Sequence, residues 1–130
     1  MMEHRVVSDD GLIVEEGGCV IDVRLPWYRS LPLSVVEIGQ VVVDGQLIDP
    51  ARITFELEGQ RYRLDELRPH TDVWWYVLDS AFLHIAGLPL LAGGEHQVSV
   101  TIQVRPPYIN GLNRIVKTEK RLKAREGVPA

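Results

Sequence analysis

The sequence has a single cysteine, little net charge and no long apolar run. Cys19 alone cannot form an intramolecular disulfide or a zinc cage, so its expected role is that of a small buried apolar side chain. The net charge of -4, from 14 basic and 18 acidic residues, argues against nucleic-acid binding, which normally needs a basic face. No apolar stretch approaches the roughly 18 residues of a membrane-spanning helix. With acidic residues near the N-terminus, we expect a cytoplasmic protein without a membrane partner.

The composition is that of one globular domain over residues 1–130, with 45% apolar and 25% charged residues. Short alternating or β-branched segments recur along it, separated by turn signals. Asp44-Gly45 and Glu58-Gly59 predict tight hairpins, and Leu64 to Leu67 could form one helical turn. About seven or eight mostly antiparallel strands predict an all-β fold, a β-sandwich or jelly-roll-like barrel. The predicted strands include residues 19–25, 35–43, 52–57, 61–64, 73–78, 81–85 and 95–105.

The two ends of the chain carry weaker patterns. Residues 1–12 are interpreted as an N-terminal arm, because they show no sustained alternation. Residues 113–130 form a basic tail, which contains six Lys and Arg residues between Arg114 and Arg125. In a strand, Val116, Thr118 and Lys120 would share one face, but neither face is strongly apolar. The tail is therefore predicted to be a solvated charge run, and an edge strand at most.

Candidate catalytic groups are scattered rather than clustered. The histidines are His4, His70, His84 and His96, and no two have the spacing of a metal-binding pair. The sequence contains no nucleophile elbow, no phosphate-binding loop and no dinucleotide fingerprint. Glu56 and Glu58 are two residues apart on one strand, where such acids usually just solvate a face. The residues alone therefore predict no autonomous active site.

Two aromatic clusters are better candidates for a functional surface. Trp27, Tyr28 and Arg29 lie in a loop with Leu31 and Pro32, and Trp, Tyr and Arg dominate interface energetics. These aromatics could instead close one end of the sandwich. Trp74, Trp75 and Tyr76 form the second cluster. In a strand, Trp75 points away from the other two, so one face would be core and the other free to stack on a sugar or a partner.

The sequence resembles the small β-subunits of bacterial C-glycoside deglycosidases over roughly residues 20 to 108. The longest matching motif is residues 23–34, where Trp27 replaces the more usual tyrosine and Ser30 the more usual glycine. Further landmarks follow in the order that the family has. They are Val43-Asp44-Gly45, Ile53-Thr54-Phe55, Tyr62 with Leu64-Asp65-Glu66-Leu67, Trp74-Trp75, Gly94-Glu95-His96-Gln97-Val98 and Arg105-Pro106-Pro107-Tyr108.

The resemblance implies a β-sandwich subunit of a heteromeric enzyme. Its partner would be a larger α-subunit with a TIM barrel, a divalent metal (Mn or Mg) and a histidine base. The substrate would be a C-glycoside oxidised to a ketone at the 3-position of the sugar, with a flavonoid or other aromatic aglycone. Proton removal beside the ketone, with the metal stabilising the enolate, allows the C–C bond to the aglycone to break by elimination. The resemblance implies no catalytic residue and no cofactor in this chain.

Three interpretations remain open from the sequence. In the first, Trp27, Tyr28, Arg29, Leu31 and Pro32 form the subunit interface or the substrate mouth. In the second, the chain is a stand-alone carbohydrate-binding sandwich whose aromatic platform is Trp74, Trp75 and Tyr76. In the third, it is a metal-dependent jelly-roll enzyme that uses His84, Glu95 and His96.

Overall fold

A computed structural model describes residues 6–109 and 111–126, and strands dominate these ranges. Three short 3-10 turns, Leu33–Val35, Pro50–Arg52 and Leu64–Glu66, interrupt them. Among the strands found there, eight have four or more residues, which confirms the all-β prediction. In chain order they are β1 Val7–Glu15, β2 Gly18–Arg24, β3 Leu31–Pro32, β4 Val36–Val43, β5 Gln46–Leu47, β6 Ile53–Leu57, β7 Gln60–Arg63, β8 Trp74–Trp75, β9 Ser80–Ala86, β10 Glu95–Val104, β11 Arg114–Lys123 and β12 Arg125–Glu126.

The strands form a β-sandwich. One sheet has the order β12-β1-β2-β9-β6-β7, the other has the order β11-β10-β4-β5, and β3 pairs with β8 in a small ribbon. Neighbouring strands are antiparallel, except that β12 runs parallel to β1. The chain passes directly from β11 in one sheet to β12 in the other, so this segment joins the two sheets along one side.

The apolar faces of the two sheets form a shared core. On β10, the side chains of Val98, Val100, Ile102 and Val104 are buried, as their alternation predicted. Phe55 on β6 and Leu83 on β9 are paired neighbours, and both side chains are fully buried in this core. Burying a side chain of this size stabilises the fold by about 1.5–3 kcal/mol.

The two predicted hairpin turns are present. Asp44 and Gly45 have φ angles of 51° and 79°, and Glu58 and Gly59 have φ angles of 51° and 80°. Positive φ at both central residues is the requirement of a type I′ turn, whose twist matches that of the flanking strands. Val43 accordingly faces Gln46 across the first turn, and Leu57 faces Gln60 across the second.

Three sequence expectations about strands were wrong. Strand β1 begins at Val7, inside the predicted arm, and pairs with β2 around an irregularity between Val7 and Leu12. The tail is not a solvated charge run but β11, the edge strand that the sequence left open as the alternative, and it pairs with β10 along its full length. The third error concerns residues 73–78, because only Trp74 and Trp75 are extended there. His4 and the last residues of the tail, 127–130, lie outside the described residues.

Strand β11 is an edge strand with one apolar face. Val116 and Leu122 are buried against the core, while Ile115 and Lys117 point to solvent. Most basic residues of β11 lie on its outer face or at its ends. Because they are numerous, the sequence pattern did not reveal that every second residue faces the core. In the part of the chain described, no helix has the length and apolar character needed to cross a membrane.

Candidate functional site

Three loops meet at one end of the sandwich and expose large side chains there. The β2–β3 loop is tied to the loop after β8, because the Val77 amide donates to Ser30 Oγ at 2.9 Å. Arg24, at the end of β2, donates to the carbonyl of Leu78 at 3.1 Å. The β10–β11 loop joins them through Tyr108. We call the exposed residues at this end the aromatic rim, which consists of Tyr28, Arg29, Tyr76, Leu78 and Tyr108.

The hydroxyl of Tyr108 links two aromatic side chains of the β2–β3 loop. Trp27 is nearly buried, and its indole Nε1–H donates to Tyr108 Oη at 2.5 Å. Hydrogen bonding with the neighbouring hydroxyl of Tyr108 raises the pKa of the Tyr28 phenol above its usual value. The Trp27 and Tyr28 ring centroids are 5.0 Å apart. The rim is thus an organised surface rather than a set of independent side chains.

Arg29 lies against the rings of two tyrosines. Its guanidinium carbon is 5.9 Å from the ring centroid of Tyr28 and 5.5 Å from that of Tyr108. Both distances are within the range of a cation–π contact. Tyr28 and Tyr108 remain 56% and 47% exposed, so the rings are available to a partner while they hold the cation in place.

Leu31 and Pro32 support the rim from behind and do not form its surface. They pair with Trp75 and Trp74 in the β3–β8 ribbon, and both are buried in this chain. The expectation that Leu31 and Pro32 themselves contact a partner therefore needs correction. Their apolar side chains are already used in the core, and the ribbon brings the two aromatic clusters of the sequence together.

The two neighbouring tryptophans have opposite environments. Trp75 is fully buried, its ring packs edge-on against Phe55 at 5.5 Å, and its indole N–H donates to the Asp79 carbonyl. The expectation that Trp75 stacks on a ligand is therefore wrong. Trp74 and Tyr76 face solvent, with 43% and 54% of their surface exposed. A sugar-stacking platform would have only these two rings.

The third interpretation, a metal site built from His84, Glu95 and His96, is wrong because these residues lie in different sheets. His84 lies on β9 of the six-stranded sheet, whereas Glu95 and His96 lie on β10 of the other sheet. The two ring nitrogens of His84 face Glu15 Oε1 at 3.0 Å and Glu56 Oε1 at 2.6 Å, on opposite sides of the imidazole. Among the described residues, no group of three or more His, Cys, Asp or Glu side chains is arranged to hold a metal ion.

Asp44 and His96 stabilise a turn rather than a reactive centre. Asp44 accepts hydrogen bonds from the His96 ring at 2.6 Å and from the Gln97 amide at 2.9 Å. These bonds lower the pKa of the Asp44 carboxyl, which remains largely in solvent. Cys19 is also unsuited to catalysis, because burial and the nearby charge of Glu15 raise the pKa of its thiol to about 11, against a weaker opposite effect of Arg52.

The sequence analysis identified Trp27, Tyr28 and Arg29 but missed the contributions of Tyr108 and Leu78. Tyr108 is 81 residues from Trp27 along the chain, so no local pattern links them. The available signal was an aromatic residue directly after Pro106-Pro107, in a loop where proline prevents regular pairing. Leu78, which is 74% exposed, could have been recognised only from the tertiary structure.

Comparisons with known proteins agree on one family. The sequence model of the family described as "C-glycoside deglycosidase beta subunit" matches residues 3–108. The chain is 40% identical to the 3'-dehydrocarminate deglycosidase beta subunit of a Microbacterium species, over 84% of this chain and 82% of that protein. C-glycoside deglycosidase beta subunits of Microbacterium trichothecenolyticum and Arthrobacter globiformis are 34% and 33% identical, each over 84% of this chain and over 82% and 83% of their own lengths.

Proposed function

This chain belongs to the C-glycoside deglycosidase beta-subunit family, and from that premise we propose that it is the non-catalytic small subunit of a heteromeric C-glycoside deglycosidase. Its partner would be a TIM-barrel α-subunit that holds a divalent metal, Mn or Mg, and the catalytic base. The β-subunit names of the relatives imply an assembly of more than one kind of subunit. The proposal includes the cytoplasmic location and the carbon–carbon lyase class expected from the sequence and its resemblance.

The proposed substrate is a 3-oxo C-glycoside with an aromatic aglycone. A base removes the proton from the carbon next to the ketone, and the resulting enolate expels the aglycone carbon. That carbon leaves with the electron pair of the broken C–C bond and takes up a proton, while the sugar gains a double bond between its anomeric carbon and the carbon that lost the proton. The name of one relative, a 3'-dehydrocarminate deglycosidase beta subunit, is consistent with a ketosugar attached to an aromatic ring system. The role of this chain would be to complete and shape the partner's substrate mouth.

The aromatic rim is the observation that supports an interface role most directly. Its side chains are large, exposed and held in place by bonds between loops, as described for Tyr28, Arg29 and Tyr108. Preorganised Tyr and Arg side chains bind with a small loss of conformational entropy, which is why they dominate interface hot spots. A chain whose core is already complete does not need these side chains exposed for its own stability.

Assembly can be tested with the proposed TIM-barrel α-subunit, which would be sought among the products of the neighbouring genes. We would measure light scattering after size exclusion for each chain alone and for the mixture, and then the release of aglycone from a 3-oxo C-glycoside. A defined complex that releases aglycone is the expected result. A monodisperse chain that forms no complex with the barrel protein would overturn the proposal. Sugar binding by the isolated chain through Trp74 and Tyr76 would then favour a carbohydrate-binding module.

Variants locate the contact surface. Truncating an exposed hot-spot side chain typically costs about 1–3 kcal/mol of binding, so Tyr28→Ala should weaken assembly by roughly 10- to 100-fold. Trp27→Ala is expected to weaken it too, but Trp27 is nearly buried, so its effect includes a loss of stability. The matched control is Leu91→Ala, which removes an exposed apolar side chain from the β9–β10 connection at the other end of β10. Equal assembly of both variants would contradict an interface at the rim.

A further inference from the structure

The position of Arg29 suggests what it binds. Its guanidinium lies over the rings of both Tyr28 and Tyr108, at 5.9 Å and 5.5 Å from their centroids. Tyr108 is in turn held by the Trp27 indole N–H, which donates to its hydroxyl. The two rings therefore restrict a side chain that would otherwise sample many rotamers. A cation held on aromatic faces keeps its N–H groups free to donate at the edge of its plane.

Arg29 is an exposed arginine without an acidic partner among the described residues, whereas three other arginines have one. Arg61, Arg63 and Arg121 each have a carboxylate oxygen within 3.6 Å. Within residues 6–109 and 111–126, no Asp or Glu side chain forms an ion pair with Arg29, and it lies in an exposed loop. Among the described residues, its neighbours in the rim are apolar or aromatic, so none of them neutralises its positive charge.

Docking the rim against a protein would remove water from this guanidinium. Taking a charge out of water without a partner costs several kcal/mol, whereas a planar guanidinium and a carboxylate can form two parallel hydrogen bonds. We propose that Arg29 receives an Asp or Glu carboxylate of the partner subunit, and that this ion pair sets the orientation in which the two subunits dock. The inference rests on the proposed function, because it names the chemistry of the partner's surface at the same site.

The test is a charge reversal in the complete two-subunit enzyme. Arg29→Glu places two negative charges together and should weaken assembly by at least about 100-fold. Arg29→Lys keeps the charge but loses the planar donor pair, and it should weaken assembly by about tenfold. Lys123→Glu reverses an exposed charge at the far end of β11 and should leave assembly within about twofold of wild type. Replacing each exposed Asp and Glu around the barrel mouth with Lys should identify one substitution that restores assembly of Arg29→Glu.

The outcomes separate this inference from the proposed function. If the wild-type chains form no complex, the proposed function itself fails, and with it this inference. If the wild-type complex forms and Arg29→Glu assembles as well as Lys123→Glu, only the inference is overturned. It is also overturned if Arg29→Glu assembles normally but raises KM for the 3-oxo C-glycoside, because Arg29 would then serve the substrate. Failure of every partner substitution to restore Arg29→Glu would equally contradict a single carboxylate partner.

Discussion

Tyr108 shows how one hydroxyl group can organise a surface. Its oxygen accepts a hydrogen bond from the indole N–H of Trp27, and its ring supports the guanidinium of Arg29. These contacts connect two loops that are far apart in sequence. A nearly buried indole N–H without an acceptor would lose the compensation for its desolvation, so this hydroxyl contributes to stability as well as to the shape of the rim.

Removing that hydroxyl should therefore loosen the rim. For Tyr108→Phe we expect a loss of about 1–2 kcal/mol in the free energy of unfolding, because the Trp27 N–H keeps no protein acceptor. Denaturant unfolding followed by tryptophan fluorescence measures this difference. Tyr76→Phe is the control, since it removes a hydroxyl from another exposed rim tyrosine without disturbing Trp27. Equal midpoints and slopes for both variants would contradict the role of Tyr108.

Asp44 makes a pH-dependent contribution. Its carboxyl pKa in the folded protein lies below the model value of 3.8, because the His96 ring and the Gln97 amide hydrogen-bond the charged form. A lowered folded-state pKa stabilises the protein above the unfolded value, and this contribution disappears as the pH falls through 3.8 toward the folded value. The effect is small, well under about 1 kcal/mol, since half of the side chain is in solvent.

The matching variant is Asp44→Asn, which tolerates the positive φ of this turn but does not titrate. Between about pH 6 and pH 3, the wild-type free energy of unfolding should fall more than that of Asp44→Asn. The two values should converge at the acidic end. Chemical unfolding at a series of pH values measures both, and parallel pH profiles would rule out the assigned role of Asp44.

At the scale of elements, Gly18 permits the close pairing of β2 with β9. A Cβ built on Gly18 would lie 1.9 Å from the carbonyl oxygen of Ile85, which is far inside van der Waals contact. Backbone atoms cannot move aside as a flexible side chain does. Any side chain at position 18 must therefore separate the two strands where they pair, at Gly18 and Ala86.

Gly18→Ala should accordingly cost about 3 kcal/mol or more in the free energy of unfolding, or prevent folding. Gly59→Asn is the matched control. Gly59 has a φ of 80° and no heavy atom within 4 Å of its ideal Cβ, and Asn tolerates this conformation. The control should lose about 1 kcal/mol or less. Thermal unfolding followed by circular dichroism compares the two, and a stable Gly18→Ala would show that β2 and β9 pair differently.

Elements with a clear local signal could be predicted from the sequence. The strict alternation of β10 and the turns at Asp44 and Glu58 each correspond to an observed strand or hairpin. Strand β1 could not be predicted, because residues 8–11 interrupt its pairing with β2 and so break the alternation of buried and exposed residues. β11 was missed because an edge strand has one face in solvent, and its basic residues resemble a charge run. The rim required tertiary information, since Tyr108 meets Trp27 only after folding.

For the whole molecule, the rim brings several exposed aromatic and apolar side chains together at one end of the sandwich. Tyr28, Tyr76 and Leu78 are each more than half exposed. Exposed apolar patches favour self-association until a partner covers them. The isolated chain is therefore expected to associate weakly with itself, and a complex that covers the rim should be better behaved than the chain alone.

Replacing Tyr28, Tyr76 and Leu78 together by Ser should reduce both the self-association of the isolated chain and its assembly with the partner. The triple variant should remain monodisperse at higher concentration than wild type, because its surface is more polar. It should also lose assembly with the barrel partner. Leu91→Ser, at an exposed site away from the rim, should change neither. Light scattering of the isolated chains and of the mixtures measures both, and a triple variant that still assembles would contradict the use of this end.

The passage of the chain from β11 into β12 has a consequence for biosynthesis. During translation, β10 leaves the ribosome before the segment that pairs with its whole outer edge, and β1 waits even longer for its parallel neighbour. A nascent chain that has emerged only as far as Pro107 therefore leaves the edge of β10 that faces β11 open along ten residues. Neither sheet reaches its final set of neighbours until residues 114–126 have been synthesised, and chaperones can protect the open edge during that interval.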